Sequence, residues 1–222
     1  MRVNNIFYSL QGEGRNTGRA ALFIRFAGCN LRCPFCDTEF DSYREMTNEE
    51  ILATIESLTP SNQTSFPSCV PSVASDQRSG RGGLLIVLTG GEPTLQVDEA
   101  FVDLLHQHGY EVAMESNGTR PAPKNLDWLT VSPKGLVAGT EVRKCDGTRL
   151  PDEIKIVFDE NTNPESILSS FTSHHSPLLY LQPCDTGDPQ RNVAITNACV
   201  EYIKQHPKWR LSLQTHKLIG IE

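Results

Sequence analysis

Nowhere in the 222 residues does an apolar run approach the eighteen needed for a membrane-spanning helix. The opening segment, MRVNNIFYSLQGEG, lacks the basic start, apolar centre and small-residue cleavage site of a secretory signal, so the cytoplasm is the expected compartment. There is no basic excess. Asp and Glu number 27 against 20 Lys and Arg, a net charge of −7. A general binder of nucleic acid or of an anionic membrane rewards a basic surface, and both classes are disfavoured. The sequence also lacks internal repeats and a second-domain signature, and its length suits one domain over residues 1–222. Seven cysteines, an odd and clustered set without a signal segment, favour reduced thiols and metal chemistry over a disulfide framework.

What is present alternates between two periodicities. Residues 20–27, 84–89, 110–116, 127–132, 153–158, 178–183 and 210–214 read as short, mostly buried strands. Between them, Thr47-Asn48-Glu49-Glu50 caps a helix whose apolar face carries Ile51, Leu52, Ile55 and Leu58. Further helices are expected at 97–108, 164–173 and 191–205. Alternating strands and helices imply βαβ units and a parallel sheet. The helices are few and some connections short, which predicts an α/β fold: an incomplete TIM-like barrel of about six parallel strands. An N-terminal hairpin extends it, turning at GEGRNTG between two strand-like runs. Residues 60–83 shift to Ser, Pro and Gly, the composition of a long loop or flexible insertion, and Cys69 within it is read as incidental.

The chemistry starts at Cys29, Cys33 and Cys36, spaced C-x3-C-x2-C in GCNLRCPFCDTEF. Three thiolates leave one coordination position open, whereas a structural zinc site or a closed cluster takes four ligands. Three small buried hydrophobes, or a zinc site completed by Cys69, Cys145, Cys184 or Cys199, remain open readings at this point, although none of those four forms a second C-x-x-C pair. The apolar strand and Gly28 before Cys29 put the triplet in a loop at a strand's C-terminal end, where parallel α/β folds gather their ligands.

The segment CNLRCPFC after FIRFAG resembles the cluster loop of the radical S-adenosylmethionine superfamily. That resemblance implies a [4Fe–4S] cluster whose open iron chelates the methionine end of S-adenosylmethionine and whose electron yields a 5′-deoxyadenosyl radical. Thr89-Gly90-Gly91-Glu92-Pro93 follows a strand and is similar to the superfamily's GGEP motif, which implies Gly91 as a cofactor contact and Glu92 as a support of the turn. Ser132-Pro133-Lys134, at another strand end, is similar to a segment that meets the nucleoside and carboxylate of the cofactor. Glu115-Ser116-Asn117-Gly118 is placed at the same mouth.

FYSLQGEG, RFAGCNLRCPFCDT, TGGEP, SPK, QPCD and LQTHKLIGI occur in the order found in the 7-carboxy-7-deazaguanine synthase family, from residue 7 to the C-terminus. The resemblance implies conversion of 6-carboxy-5,6,7,8-tetrahydropterin to 7-carboxy-7-deazaguanine with release of ammonia, in queuosine and 7-deazapurine biosynthesis. S-adenosylmethionine then acts as a reusable cofactor. It further implies cofactor contacts from Phe35, Cys36 and Asp37, and substrate contacts from Leu10, Gln11, Gly12, Arg25, Thr89, Gln182, Pro183, Cys184, Asp185 and Glu222. Thr38 is implied as a ligand of Mg2+, a flavodoxin-type protein as electron donor, and a homodimer as the assembly. The residue types suit a pterin: Gln11 can read a heterocycle edge with little charge, and Arg25 can grip a carboxylate bidentately. Two other classes compete, a glycyl-radical activase with the same cysteine loop and a metal-stabilised interaction module without catalysis.

Overall fold

The structure is a computed structural model and describes residues 1–36, 42–60, 83–134, 149–169, 171 and 176–221. The described strands form one sheet in the order β3-β1-β2-β4-β5-β6-β7-β8-β9. From β2 (Ala20–Phe26) through β4 (Leu85–Gly90), β5 (Glu111–Ser116), β6 (Trp128–Val131), β7 (Glu153–Phe158) and β8 (Leu178–Pro183), six strands run parallel. A three-residue seventh, β9 (Trp209–Leu211), adds to them. β1 (Arg2–Leu10) pairs antiparallel with β2, forming the expected hairpin, and β3 (Arg44–Glu45) extends its outer edge. The fold is an incomplete TIM-like barrel, open between β1 and β9.

The helices cover the outside. α1 (Asn48–Leu58) starts in a full capping box, with Thr47 Oγ1 accepting the Glu50 N–H and the Glu50 carboxylate accepting the Thr47 N–H. Its buried Ile51, Leu52 and Ile55, with Phe101, Val102 and Leu105 of α2 (Glu99–Gln107), pack on Leu22, Ile24, Ile86, Leu88 and Met114. On the other side, α4 (Pro189–Gln205) sets Ile195 and Cys199 against Ile154, Ile156, Leu181 and Trp209. Cys199 is therefore an outer-layer core residue, and burial pushes its thiol up to about 12. It cannot serve the cysteine loop.

Alternate strand residues face inward. Ala21, Phe23, Leu85, Val87, Ala113 and Trp128 form a small apolar layer. The next inward positions toward the strands' C-terminal ends become polar, namely Arg25, Thr89, Glu115, Ser132, Lys155 and Gln182. That switch along each strand separates the packed floor from the functional end.

Two departures from the sequence reading matter. The last strand ends at Leu211, not 214: Ser212 still donates its N–H to Leu181 O at 2.9 Å while its Oγ accepts the Gly14 N–H at 3.0 Å, and Gln214 then precedes a short helix, α5 (Thr215–Ile219). The 11–19 turn is also more than a hairpin loop. Gly12 O accepts the Thr215 N–H and hydroxyl at 3.1 and 2.9 Å, so the segment spans the opening between β1 and β9 and plugs it. Gly14 has φ of 62°, a left-handed conformation that strains any residue with a Cβ, and a Cβ there would also displace the Glu153 carboxylate. α3 (Pro164–Ser169) completes the helices, and the 61–82 part of the expected insertion lies outside the described residues.

Candidate active site

The polar end of the barrel opens into a cleft of ≈ 220 Å³. Cys29, Cys33 and Cys36 line it from the loop after β2, a loop tightened by the Cys36 N–H donating to Cys33 O at 3.1 Å. All three are free thiols. Donors are already aimed at Cys29 Sγ, from the Leu31 N–H at 3.4 Å and the Asn117 side-chain amide at 3.9 Å. Burial pushes the Cys29 thiol up; it does the same for Cys33, against the pull of the nearby Lys134. Among the described residues, no three His, Cys, Asp or Glu side chains converge to hold a single metal ion. A multi-iron cluster takes one thiolate per iron and needs no such convergence, so the donor set fits a cluster.

The GGEP loop is locked against the cysteine loop. The Gly91 N–H donates to Phe26 O and the Glu92 N–H to Gly28 O, both at 2.9 Å, and a Cβ on Gly91 would collide with the Gly28 carbonyl. Gly91 is thus required for contact between two segments of the chain, and it also lines the cleft. Glu92 is fully buried. Its carboxylate accepts the Thr94 N–H (3.1 Å), Thr94 Oγ1 (2.6 Å), Ser116 Oγ (2.8 Å) and the Asn117 N–H (2.7 Å). It ties the loop after β4 to the end of β5 and does not face the cleft.

Of the residues singled out in the sequence, the cleft brings together the three cysteines, Phe35, Thr89, Gly91, Ser132, Lys134, Gln182, Pro183, Cys184 and Asp185. Lys134 donates to Ser132 Oγ at 2.9 Å, forming one rim. Asp185 accepts from Lys217, the Gly187 N–H and Asn192, and these bonds pull its carboxyl down to about 2. Leu10, Gln11, Gly12, Arg25 and Pro133 are not cleft-lining. Leu10 is exposed, and Gly12 packs on His216. Arg25 stacks its guanidinium 4.9 Å from the Phe7 ring centroid, beside Thr89 in register. Gln11 is buried, donating to Glu115 Oε1 and accepting the Glu13 N–H, both at 3.2 Å. Asp37, Thr38, Glu222, Cys69 and Cys145 lie outside the described residues.

The cleft also holds residues the sequence reading passed over, above all Glu13 and Lys155. Lys155 is buried between Glu13 and Glu115. The available signal was a lone lysine inside the apolar strand EIKIVF, at an inward position.

No family model matches the chain. The 7-carboxy-7-deazaguanine synthase of Bacteroides thetaiotaomicron is 44% identical over 220 residues, covering 99% of this chain and 98% of that one. The chain belongs to the 7-carboxy-7-deazaguanine synthase family. The family member from Nitratidesulfovibrio vulgaris is 41% identical over 235 residues, again covering 99% of this chain and 98% of its own length. Among solved structures, that of QueE from Escherichia coli superposes with a TM-score of 0.71 at 29% identity, covering 96% of this chain and 92% of that one. The family's cysteine loop and GGEP loop are the two segments that the Gly28–Gly91 contact holds together here.

Proposed function

We infer that the chain is a radical S-adenosylmethionine lyase that converts 6-carboxy-5,6,7,8-tetrahydropterin to 7-carboxy-7-deazaguanine with release of ammonia, in queuosine biosynthesis. Near-full-length identity of 44% to a synthase of that name carries the reading. The geometry supports it: three thiols, a Gly91 wall and a Ser132–Lys134 rim surround one cleft whose far side is polar. Neither competing class is favoured by these relatives.

Cys29, Cys33 and Cys36 would hold a [4Fe–4S] cluster, which together with S-adenosylmethionine would supply the radical chemistry. The chain's own residues bind and orient. Asn117 and the Leu31 N–H donate to a cluster thiolate, which favours its charged form. Lys134 would pair with the cofactor carboxylate, and Phe35, Cys36, Asp37, Gly91, Ser132 and Pro133 would supply its other contacts. On the substrate side we assign Arg25 to the carboxylate and Thr89, Pro183, Cys184 and Asp185 to the ring, with Leu10–Gly12 and Glu222 as further contacts and Thr38 as the Mg2+ ligand. Gln182 Oε1 is buried without a partner among the described residues. A buried acceptor left unpaired costs about 1–3 kcal/mol, so a ligand N–H there would be favourable.

A flavodoxin-type donor, a homodimer and the cytoplasm complete the assignment; among the described residues no helix is long and apolar enough to cross a membrane. The test is anaerobic reconstitution followed by incubation with the carboxytetrahydropterin, S-adenosylmethionine, Mg2+ and reductant. Deazaguanine product is expected, absent in Cys33→Ala. A cluster whose paramagnetic resonance spectrum ignores S-adenosylmethionine, with no product, would sink the reading.

A further inference from the structure

One wall of the cleft is a polar cluster built around Lys155. Lys155 Nζ sits 2.5 Å from Glu13 Oε2 and 2.8 Å from Glu115 Oε2. The two carboxylates come from different parts of the barrel, Glu13 from the plug that closes its side and Glu115 from β5. Gln11 links them, donating to Glu115 and accepting the Glu13 N–H. Gln214 and Gln182 both donate to Glu13 Oε1, at 3.0 and 3.3 Å. A third carboxylate, Glu153, stands two residues before Lys155 on the same face of β7 and accepts the Arg15 N–H at 3.0 Å. Part-buried carboxylates gathered around one point repel, and a cation among them offsets that repulsion. Lys155 is the cation that faces all three.

Glu13 and Glu115 also line the cleft. An ionised carboxylate is an acceptor only, and its bonds to N–H donors are short and strong. We propose that Lys155 is a positioning residue for the reaction: it clamps Glu13 and Glu115 as a fixed acceptor pair for the N–H-rich, guanidine-like edge of the heterocyclic substrate. The proposal rests on the pterin reading above and adds to it the groups that fix the ring's orientation.

The charged groups facing the pair agree. For Glu13, burial pushes the carboxyl up, but Lys155, Gln214 and His216 of α5 outweigh it and hold it below its ordinary value. For Lys155, burial works against the charge, but Glu115, Glu13 and Glu153 together raise it above the usual lysine range. Glu153 is pushed up to about 7 by burial and by Glu115. With Lys155 present, Glu13 stays charged through neutral pH.

The experiment compares reconstituted wild type, Lys155→Met and Lys155→Arg in steady-state assays between about pH 6 and 9. Lys155→Met is expected to raise the substrate KM roughly 10- to 100-fold at neutral pH. That KM should fall as pH rises and Glu13 ionises, while the wild-type KM stays flat. Lys155→Arg, which restores the charge, should recover part of the loss, and the response of the cluster spectrum to S-adenosylmethionine should persist in both. A KM unchanged in Lys155→Met overturns the proposal. Wild type that makes no product refutes the function reading instead, a separate failure. If Lys155→Met does not fold, carboxyl NMR of labelled wild type against Glu13→Gln decides: Glu13 is expected to stay ionised from about pH 5 to 8, and titration inside that window overturns the clamp.

Discussion

Replacing Glu92 by glutamine separates a ligand contact from a structural support in the GGEP loop. The wild-type carboxylate is fully buried and accepts four hydrogen bonds, three at Oε1 and one at Oε2. Glutamine keeps one carbonyl oxygen, best placed for the three donors from Thr94 and Ser116. Its amide then faces the Asn117 N–H, donor against donor. A hydrogen bond to a charged group contributes about 1.5–3 kcal/mol, and a buried donor left unpaired costs about 1–3 kcal/mol. Glu92→Gln should therefore lose about 2–4 kcal/mol. For a chain of this size each kcal/mol moves the thermal midpoint by about 2–4 °C, so the drop should be roughly 5–15 °C. The assay is thermal unfolding followed by circular dichroism, paired with calorimetric binding of S-adenosylmethionine to reconstituted protein well below the midpoint. Lowered stability with binding retained is the expected result. An unchanged midpoint with binding abolished would refute the reasoning and make Glu92 a direct ligand contact.

Glu153 makes the fold's stability depend on pH. Its folded-state pKa of about 7 lies above the ordinary 4.5, so the fold prefers the protonated acid, and stability declines as pH rises from about 4.5 to 7. The decline is on the order of 3 kcal/mol by linkage, and Glu153→Gln should flatten it, as read by urea unfolding across that range. Asp185 works in the opposite sense. Its pKa of about 2 lies below the ordinary 3.8, so its contribution is present above 3.8 and fades as pH falls toward 2. Lys217→Met should shift that carboxyl upward toward its ordinary value in an NMR titration; no movement would remove Lys217 as a cause.

The cysteine spacing, the strand rhythm and the ordered motifs were legible in the sequence because each is local chemistry. Three thiols within eight residues state a ligand count, and β-strand runs bounded by turns state a parallel sheet once helices alternate with them. The match of 153–158 and 178–183 to β7 and β8 follows from the alternating apolar Ile154, Ile156 and Phe158 in one strand and the apolar run Leu178–Leu181 in the other. The boundary at 210–214 failed for a different reason. Leu213 and Gln214 have strand-like neighbours, but Ser212 makes the last backbone bond to β8, and from there the chain bonds the plug, about two hundred residues away in sequence.

By itself, the sequence determined the kind of chemistry, since residue type and short spacing decide which ligands a loop can offer. Tertiary structure alone decided the company those ligands keep. Glu13, Glu115 and Lys155 are separated by 102 and 40 residues along the chain; the sheet sets Lys155 2.8 Å from Glu115, and the 11–19 plug adds Glu13 at 2.5 Å. Charge pairing of that kind depends on distance and burial, and neither is written in local sequence.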